Sequence, residues 1–222
     1  SIAHEAAMRS SKSGRTENQI QAIIEGFFVF AGTSGWAYPS IVGCGENATI
    51  LHYKENNSPC GDDEIILIDA GSEYRGYASD ITRSWPISGK FTEAQRELYQ
   101  LVLDSQEAAI AECKVGNPFN APHEAARRVL AEGLIKLGVI TQTLEESLDY
   151  ENGQLRDWYM HNTSHWIGLD VHDVGIYKPN GEPRIFESGM CLTVEPGLYF
   201  GSWRPDVDCP ERYSNIGIRI ED

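Results

Sequence analysis

No run of apolar residues in this 222-residue chain approaches the roughly 20 needed to span a bilayer, and the N-terminus carries no signal-like apolar stretch. Positive charge is scarce: 18 lysines and arginines stand against 33 acidic residues, a net charge of −15. That deficit argues against nucleic acid or an anionic membrane as a partner. There is no Cys-x-x-Cys pair, and the five cysteines (44, 60, 113, 191 and 209) make an odd number. They read as free thiols of a reducing, cytoplasmic compartment rather than as a disulfide framework. Low-complexity segments and an inter-domain linker are also missing, so residues 1–222 read as one domain. The first residue is Ser1 rather than Met, which suggests a processed or truncated product.

What is present has a clear order. Two helical pieces break at Ser13-Gly14, and the second opens with the capping-box pattern Thr16-Glu17-Asn18-Gln19. Ile20, Ile23, Ile24, Phe27 and Phe28 then recur at helical spacing and read as core. Gly-Cys-Gly-Glu-Asn-Ala (43–48) superficially fits a dinucleotide-binding glycine pattern. A strand-like Thr49-to-Tyr53 follows where the phosphate-binding helix should open, so that reading is rejected. Thr92-Glu93-Ala94-Gln95 opens a long helix, Asn120-Ala121-Pro122 another, and a short one is expected near 144–150. Strand-like composition returns at Thr193-Val194, Leu198–Phe200 and Ile216–Ile220. Strands, then helices, then strands predict an α+β chain with helices against one face of a mostly antiparallel sheet.

Four acids sit inside apolar, strand-like segments: Asp69, Asp80, Glu195 and Glu221. Folding Ile66–Trp85 as a hairpin about Tyr74 and Arg75 brings Asp69 opposite Asp80. Facing carboxylates in an apolar surround raise each other's pKa unless a cation lies between them. His161, His165 and His172 fall within twelve residues. The spacing of the first two would suit a helical metal pair, but the intervening residues favour extended chain. Four carboxylates with an imidazole form a ligand set for a pair of hard or borderline divalent ions, and metal-assisted hydrolysis follows as the reaction class. Of three Asn-x-Ser/Thr triplets, at Asn47, Asn56 and Asn162, the last adjoins these histidines, and a glycan there would obstruct a site.

The segments I-D-A-G-S-E-Y-R-G-Y-A-S-D-I-T-R, T-S-H-W-I-G-L-D-V-H-D, L-T-V-E-P-G-L-Y and G-I-R-I-E-D, in this order, resemble the metal-binding motifs of the proline-specific peptidases of metallopeptidase family M24. Among these the Xaa-Pro aminopeptidase (aminopeptidase P) group is most similar. The resemblance implies the pita-bread fold, a curved, mostly antiparallel sheet with helices on its outer face. It implies five ligands for two divalent ions: Asp69, Asp80, His165, Glu195 and Glu221, with Asp80 and Glu221 bridging. Mn2+ is the expected metal, with Co2+, Zn2+ or Fe2+ as alternatives. A hydroxide between the ions would cleave the bond between an N-terminal residue and a following proline. His52, His161 and His172 match positions that contact substrate, Glu195 would also move protons, and Arg219 and Tyr199 would support the ligands.

Prolidase, which cuts Xaa-Pro dipeptides, is the second reading, and a non-catalytic binding module of the same fold is the third. Relatives of the aminopeptidase P type carry a separate N-terminal domain and continue past the last ligand into a closing strand. The chain is therefore expected to be a fragment, with Glu221 poorly supported and the homo-oligomer of the full-length protein in doubt.

Overall fold

The structure, a computed structural model, describes residues 1–222. Helices α1 (Ile2–Ser10) and α2 (Glu17–Phe30) are separated by a turn in which Gly14 takes a φ of 81°, a region open to glycine at little cost. The Thr16 capping box forms as its sequence predicts. Then come β1 (Gly35–Trp36), β2 (Ile41–Cys44), β3 (Ile65–Asp69), β4 (Ser72–Tyr74), β5 (Tyr77–Ala78) and β6 (Thr82–Pro86). Strands β2, β3 and β6 pair antiparallel in that order, as do β1, β4 and β5. Helices α3 (Glu93–Glu112) and α4 (Ala121–Lys136) follow, then the single turn α5 (Leu144–Ser147). The chain closes with a second hairpin, β7 (Gly197–Phe200) and β8 (Ile216–Arg219). No helix is long and apolar enough to cross a membrane.

The two hairpins meet along β6 and β8. Glu221 N–H donates to Thr82 O at 3.1 Å, and the Ser84 hydroxyl bonds both Arg219 O and Arg219 N–H. Arg83 adds a 2.6 Å bond to Glu221 O. The last predicted ligand is thus held by main-chain pairing and a guanidinium, contrary to the expectation of poor support.

Strand alternation decides which face each side chain takes. On β3, Ile66 and Ile68 join Val42, Trp85, Ile20 and Ile24 in the core beneath α1 and α2. On β7 and β8, Leu198, Phe200, Ile216 and Ile218 join Leu98, Val102, Leu130 and Leu134 beneath α3 and α4. Both helix pairs therefore cover one outer face, as the α+β reading expects. The alternate residues, Asp69, Thr82, Tyr199 and Arg219 among them, are left on the inner face, away from these helix cores.

Several local expectations are corrected. Asp69 pairs with Thr82, not Asp80, because the hairpin turns at Arg75-Gly76 and its register lies two residues beyond the predicted one. A two-residue shift keeps both aspartates on the same face, as diagonal neighbours. Thr49–Tyr53 is not a strand: Gly45–Thr49 forms a 3-10 turn whose Ala48 carbonyl packs so closely on Gly217 that a Cβ there would lie 2.0 Å from it. Thr193-Val194 forms no regular strand, although its main chain pairs with both 163–167 and Asp222. The helix near 144–150 shrinks to one capped turn.

The cysteine reading is also corrected. Cys44 and Cys60 form a disulfide with a Cα–Cα distance of 5.4 Å, and only Cys113, Cys191 and Cys209 are free. The end of β2 and the return of the 45–60 loop come together there, and no sequence motif announces that contact. Buried Glu17 anchors the same loop, accepting from Cys44 N–H, Ser58 N–H, the Tyr53 hydroxyl and Asn47 Nδ2 at 2.8–2.9 Å. The Asn47 and buried Asn56 side chains, two of the triplet asparagines, are consumed by such internal bonds.

Candidate metal centre

The registers of the two hairpins compose one lateral row. Asp69 pairs with Thr82, Thr82 bridges to Glu221, and the β7–β8 register carried past Gly197 and Arg219 sets Glu195 opposite Glu221. Glu195 N–H in turn donates to Thr163 O at 2.8 Å. One step along, Thr193 N–H donates to His165 O at 2.9 Å and places His165 on the same face. Five residues far apart in sequence thus converge because each occupies the inward phase of its strand or extended segment.

The contacts are close. His165 Nε2 lies 3.3 Å from Glu195 Oε1, 3.4 Å from Asp80 Oδ2 and 4.0 Å from Glu221 Oε1. Asp80, His165 and Glu221 offer ligand atoms all within 4.8 Å of one another, a group able to hold a metal ion. Asp69 Oδ2 accepts from Arg219 at 2.6 Å. Arg219 also donates to the Thr82 hydroxyl at 3.1 Å and to the Tyr199 hydroxyl at 3.1 Å. The Tyr38 hydroxyl contacts Asp69 Oδ1 at 2.6 Å and also touches Asp80 Oδ1.

The electrostatics call for a cation. Four ionised carboxylates less one guanidinium leave three negative charges in a largely buried cluster. Burial, reinforced by the neighbouring acids, pushes Glu195 up to about 7 and Glu221 well above the usual carboxylate range. Asp69 is also raised by burial and by Asp80, against the pull of Arg219. Burial would depress His165, but the Asp80 hydrogen bond, the Trp166 carbonyl and the nearby acids raise it on balance. Tyr38 has one hydroxyl hydrogen and two carboxylate neighbours, so one of those contacts needs a second proton or a metal ion. Carboxylate oxygens plus one imidazole suit a hard or borderline divalent ion, and the residues present fit it.

The remaining predicted residues divide. His172 stacks edge-on against His165 with centroids 4.2 Å apart, and burial and His165 lower its pKa. His52 is exposed on the cleft wall and makes no hydrogen bond to the cluster. His161 has both nitrogens occupied, Nδ1 by Asn162 O and Nε2 by the Tyr199 hydroxyl, each at 2.8 Å. Burial, then Arg219, lowers its pKa to about 3, so it stands neutral. Sequence reasoning missed Tyr38, Thr82, Thr193 and His123. Thr82 was recoverable from alternation with Asp80, whereas nothing near Tyr38 or His123 signals a site. All these groups line or adjoin a cleft of about 860 Å³.

The model of metallopeptidase family M24 matches residues 1–222. The Xaa-Pro aminopeptidase of Escherichia coli K12 is 46% identical over 221 residues, covering 100% of this chain and 49% of that protein. Pseudomonas aeruginosa aminopeptidase PepP superposes with a TM-score of 0.94 at 43% identity, over 100% of this chain and 49% of that one. Zinc-substituted E. coli aminopeptidase P in complex with product gives 0.92 at 45% identity, with the same coverage. The chain spans about half the length of the curated relatives it matches. At this level of likeness the chain has the pita-bread fold.

Proposed function

The chain belongs to metallopeptidase family M24, and on that premise we propose that it hydrolyses the bond between an N-terminal residue and a following proline, as a metal-dependent Xaa-Pro aminopeptidase. The observation that carries the proposal is the lateral row Asp69–Thr82–Glu221–Glu195 with Asp80 and His165 beside it, on one wall of a cleft. Relatives named Xaa-Pro aminopeptidase, one of them solved with zinc and product, point the same way.

Asp69, Asp80, His165, Glu195 and Glu221 would together hold two divalent ions, Asp80, His165 and Glu221 having ligand atoms within 4.8 Å of one another. Two divalent ions, Mn2+ by the preference of a carboxylate-rich set, supply when bound a water made nucleophilic at neutral pH. The chain's own groups do the rest. Glu195 would accept a proton as the carbonyl carbon is attacked and return it to the proline nitrogen, which has no hydrogen of its own. His172, beside His165, donates to the developing oxyanion. Arg219 holds Asp69 and Tyr199, and Tyr199 in turn holds neutral His161 as part of the wall. Solvent-facing His52 contacts the peptide. The cleft is at the large end of the roughly 300–1,000 Å³ typical of ligand pockets, which favours peptides longer than two residues.

The test is hydrolysis of Xaa-Pro-Yaa and of Xaa-Pro with added Mn2+, beside a Glu195→Ala control and metal analysis. Cleavage of the tripeptide, lost in the control, is the expected result. Cleavage confined to the dipeptide would make the chain a prolidase, and absence of both metal and turnover would leave a binding module.

A further inference from the structure

His123, the third residue of α4, belongs to none of the motifs above, yet it lines the same cleft. Its Nδ1 accepts the Thr163 main-chain N–H at 3.2 Å and lies 2.8 Å from the Thr163 hydroxyl. The Tyr159 hydroxyl lies 2.5 Å from Thr163 Oγ1, closing a small network. A main-chain N–H can only donate, so Nδ1 carries the lone pair and the ring proton sits on Nε2. Burial, then the Arg127 charge, lowers the imidazole pKa to about 4. Its place in the first turn of α4 also disfavours a cation. The ring is therefore neutral at physiological pH, with one fixed N–H. That N–H has no protein acceptor, and the half-buried ring opens on the cleft.

Position indicates what the donor meets. On one side, Thr163 O holds the main chain of Glu195; on the other, Glu124 and Tyr150 form an exposed rim. An aminopeptidase substrate has its N-terminal residue and scissile bond at the metal centre, and the rest of the peptide must leave toward the rim. Glu124 and Arg127 already pair with each other, 3.8 Å apart, so neither is free for a terminal carboxylate, and the unpaired cations of the lining are Lys54 and Lys178. A neutral donor here suits a neutral acceptor.

Resting on the activity proposed above, we infer that His123 is a substrate-binding residue whose Nε2–H donates to a main-chain carbonyl oxygen of the peptide downstream of the scissile bond. It would contribute to binding and not to the chemical step.

Two substitutions separate this role from a structural one. His123→Asn keeps an acceptor oxygen near the Nδ1 position for the Thr163 N–H but removes the cleft-facing donor. His123→Phe removes both. With Mn2+ present, His123→Asn is expected to raise KM for a tetrapeptide Xaa-Pro-Yaa-Zaa by about three- to tenfold, the factor for one neutral hydrogen bond, with kcat within about twofold. Affinity for the product Pro-Yaa-Zaa, measured calorimetrically, should weaken by the same factor while Tm stays near that of the unmodified chain. His123→Phe should show the same KM effect together with a lower Tm. Unchanged KM and product affinity in His123→Asn, with an active parent chain, would make His123 purely structural. A fall in kcat alone would equally overturn the assignment. A parent chain that neither cleaves the peptide nor binds the product would sink the proposed activity, and this inference with it.

Discussion

Glu221 Oε2 accepts a 2.5 Å hydrogen bond from the hydroxyl of Thr82, a residue 139 positions earlier in the chain. The same hydroxyl accepts from Arg219 Nε at 3.1 Å, so one oxygen aligns a carboxylate and a guanidinium in the centre of the row. Replacing Thr82 with valine keeps the shape and removes both bonds. Thr82→Val should weaken metal binding about 10- to 100-fold, as loss of ligand-supporting groups does, and cost about 1–3 kcal/mol of stability. Metal titration and denaturant unfolding would measure the two effects. Unaltered metal affinity would mean that Thr82 only fills space.

The metal-free protein should lose stability as pH rises. Glu195 titrates at about 7 in the folded chain, whereas an unfolded glutamate releases its proton near about 4.3. Between these values the folded state holds more protons than the unfolded one, so the slope of stability with pH is negative. Glu221, raised further, extends the decline above pH 7. The lowered pKa values of His161, His123 and His172 oppose this below about 6.5, the unfolded histidine value, and cease to matter above it. Chelated protein should accordingly melt at a lower temperature at about pH 8.5 than at about pH 7. Mn2+ should reverse the trend, because ions replace the protons that held the cluster together. A chelated Tm that climbs over that interval would contradict this account.

Gly71 pairs across the hairpin from the Asp80 position, and a Cβ there would lie 1.6 Å from Ser79 O. Neither the main chain of Ser79 nor the Tyr38 ring can retreat without moving Asp69 and Asp80. Gly71→Ala should therefore cost about 3 kcal/mol or more and abolish metal binding in whatever folds. Circular dichroism melts with metal analysis would check it, and a variant with normal Tm and full metal content would refute the register.

Removing the Cys44–Cys60 bond should act on stability alone. The bridge closes a loop with a sequence separation of 16 and lies on the α1–α2 side of the sheet, away from the cleft. Cys44→Ala with Cys60→Ala should cost about 3 kcal/mol by the loop-closure argument and leave metal stoichiometry unchanged. Free thiols titrated on the unfolded parent chain, three if the bond forms and five if it does not, provide an independent check.

Much of the site was legible because its chemistry is tied to strand alternation. Asp69, Glu195 and Glu221 each interrupt an apolar run, and a carboxylate there needs a reason. The predicted hairpin erred by two residues in register yet kept both aspartates on the right face, because the error was even. Tyr38 was illegible because it approaches from a turn whose path depends on β1 pairing with β4. His123 sits on a helix whose apolar face is read as core, and its polar partner, Thr163, lies 40 residues on. The motif places His161 against substrate, and in the structure it lines the cleft with its nitrogens bonded to Asn162 O and the Tyr199 hydroxyl. The disulfide escaped because only the return of the 45–60 loop brings its cysteines together.

The row across the sheet also sets the order of assembly. Arg219 and Asp69 are separated by 150 residues, and closing loops of that span comes late in folding. Until β8 docks on β6, the first hairpin presents Asp69 and Asp80 with Tyr38 and no guanidinium, and His165 has no Glu221 beside it. An ion arriving then finds two carboxylates, without the Asp80–His165–Glu221 group that the finished fold brings together. Tight metal uptake is therefore a clock for completed folding: it should follow the burial of Trp85 and the helix cores, coincide with docking of the last strand, and lag behind secondary structure in any refolding time course.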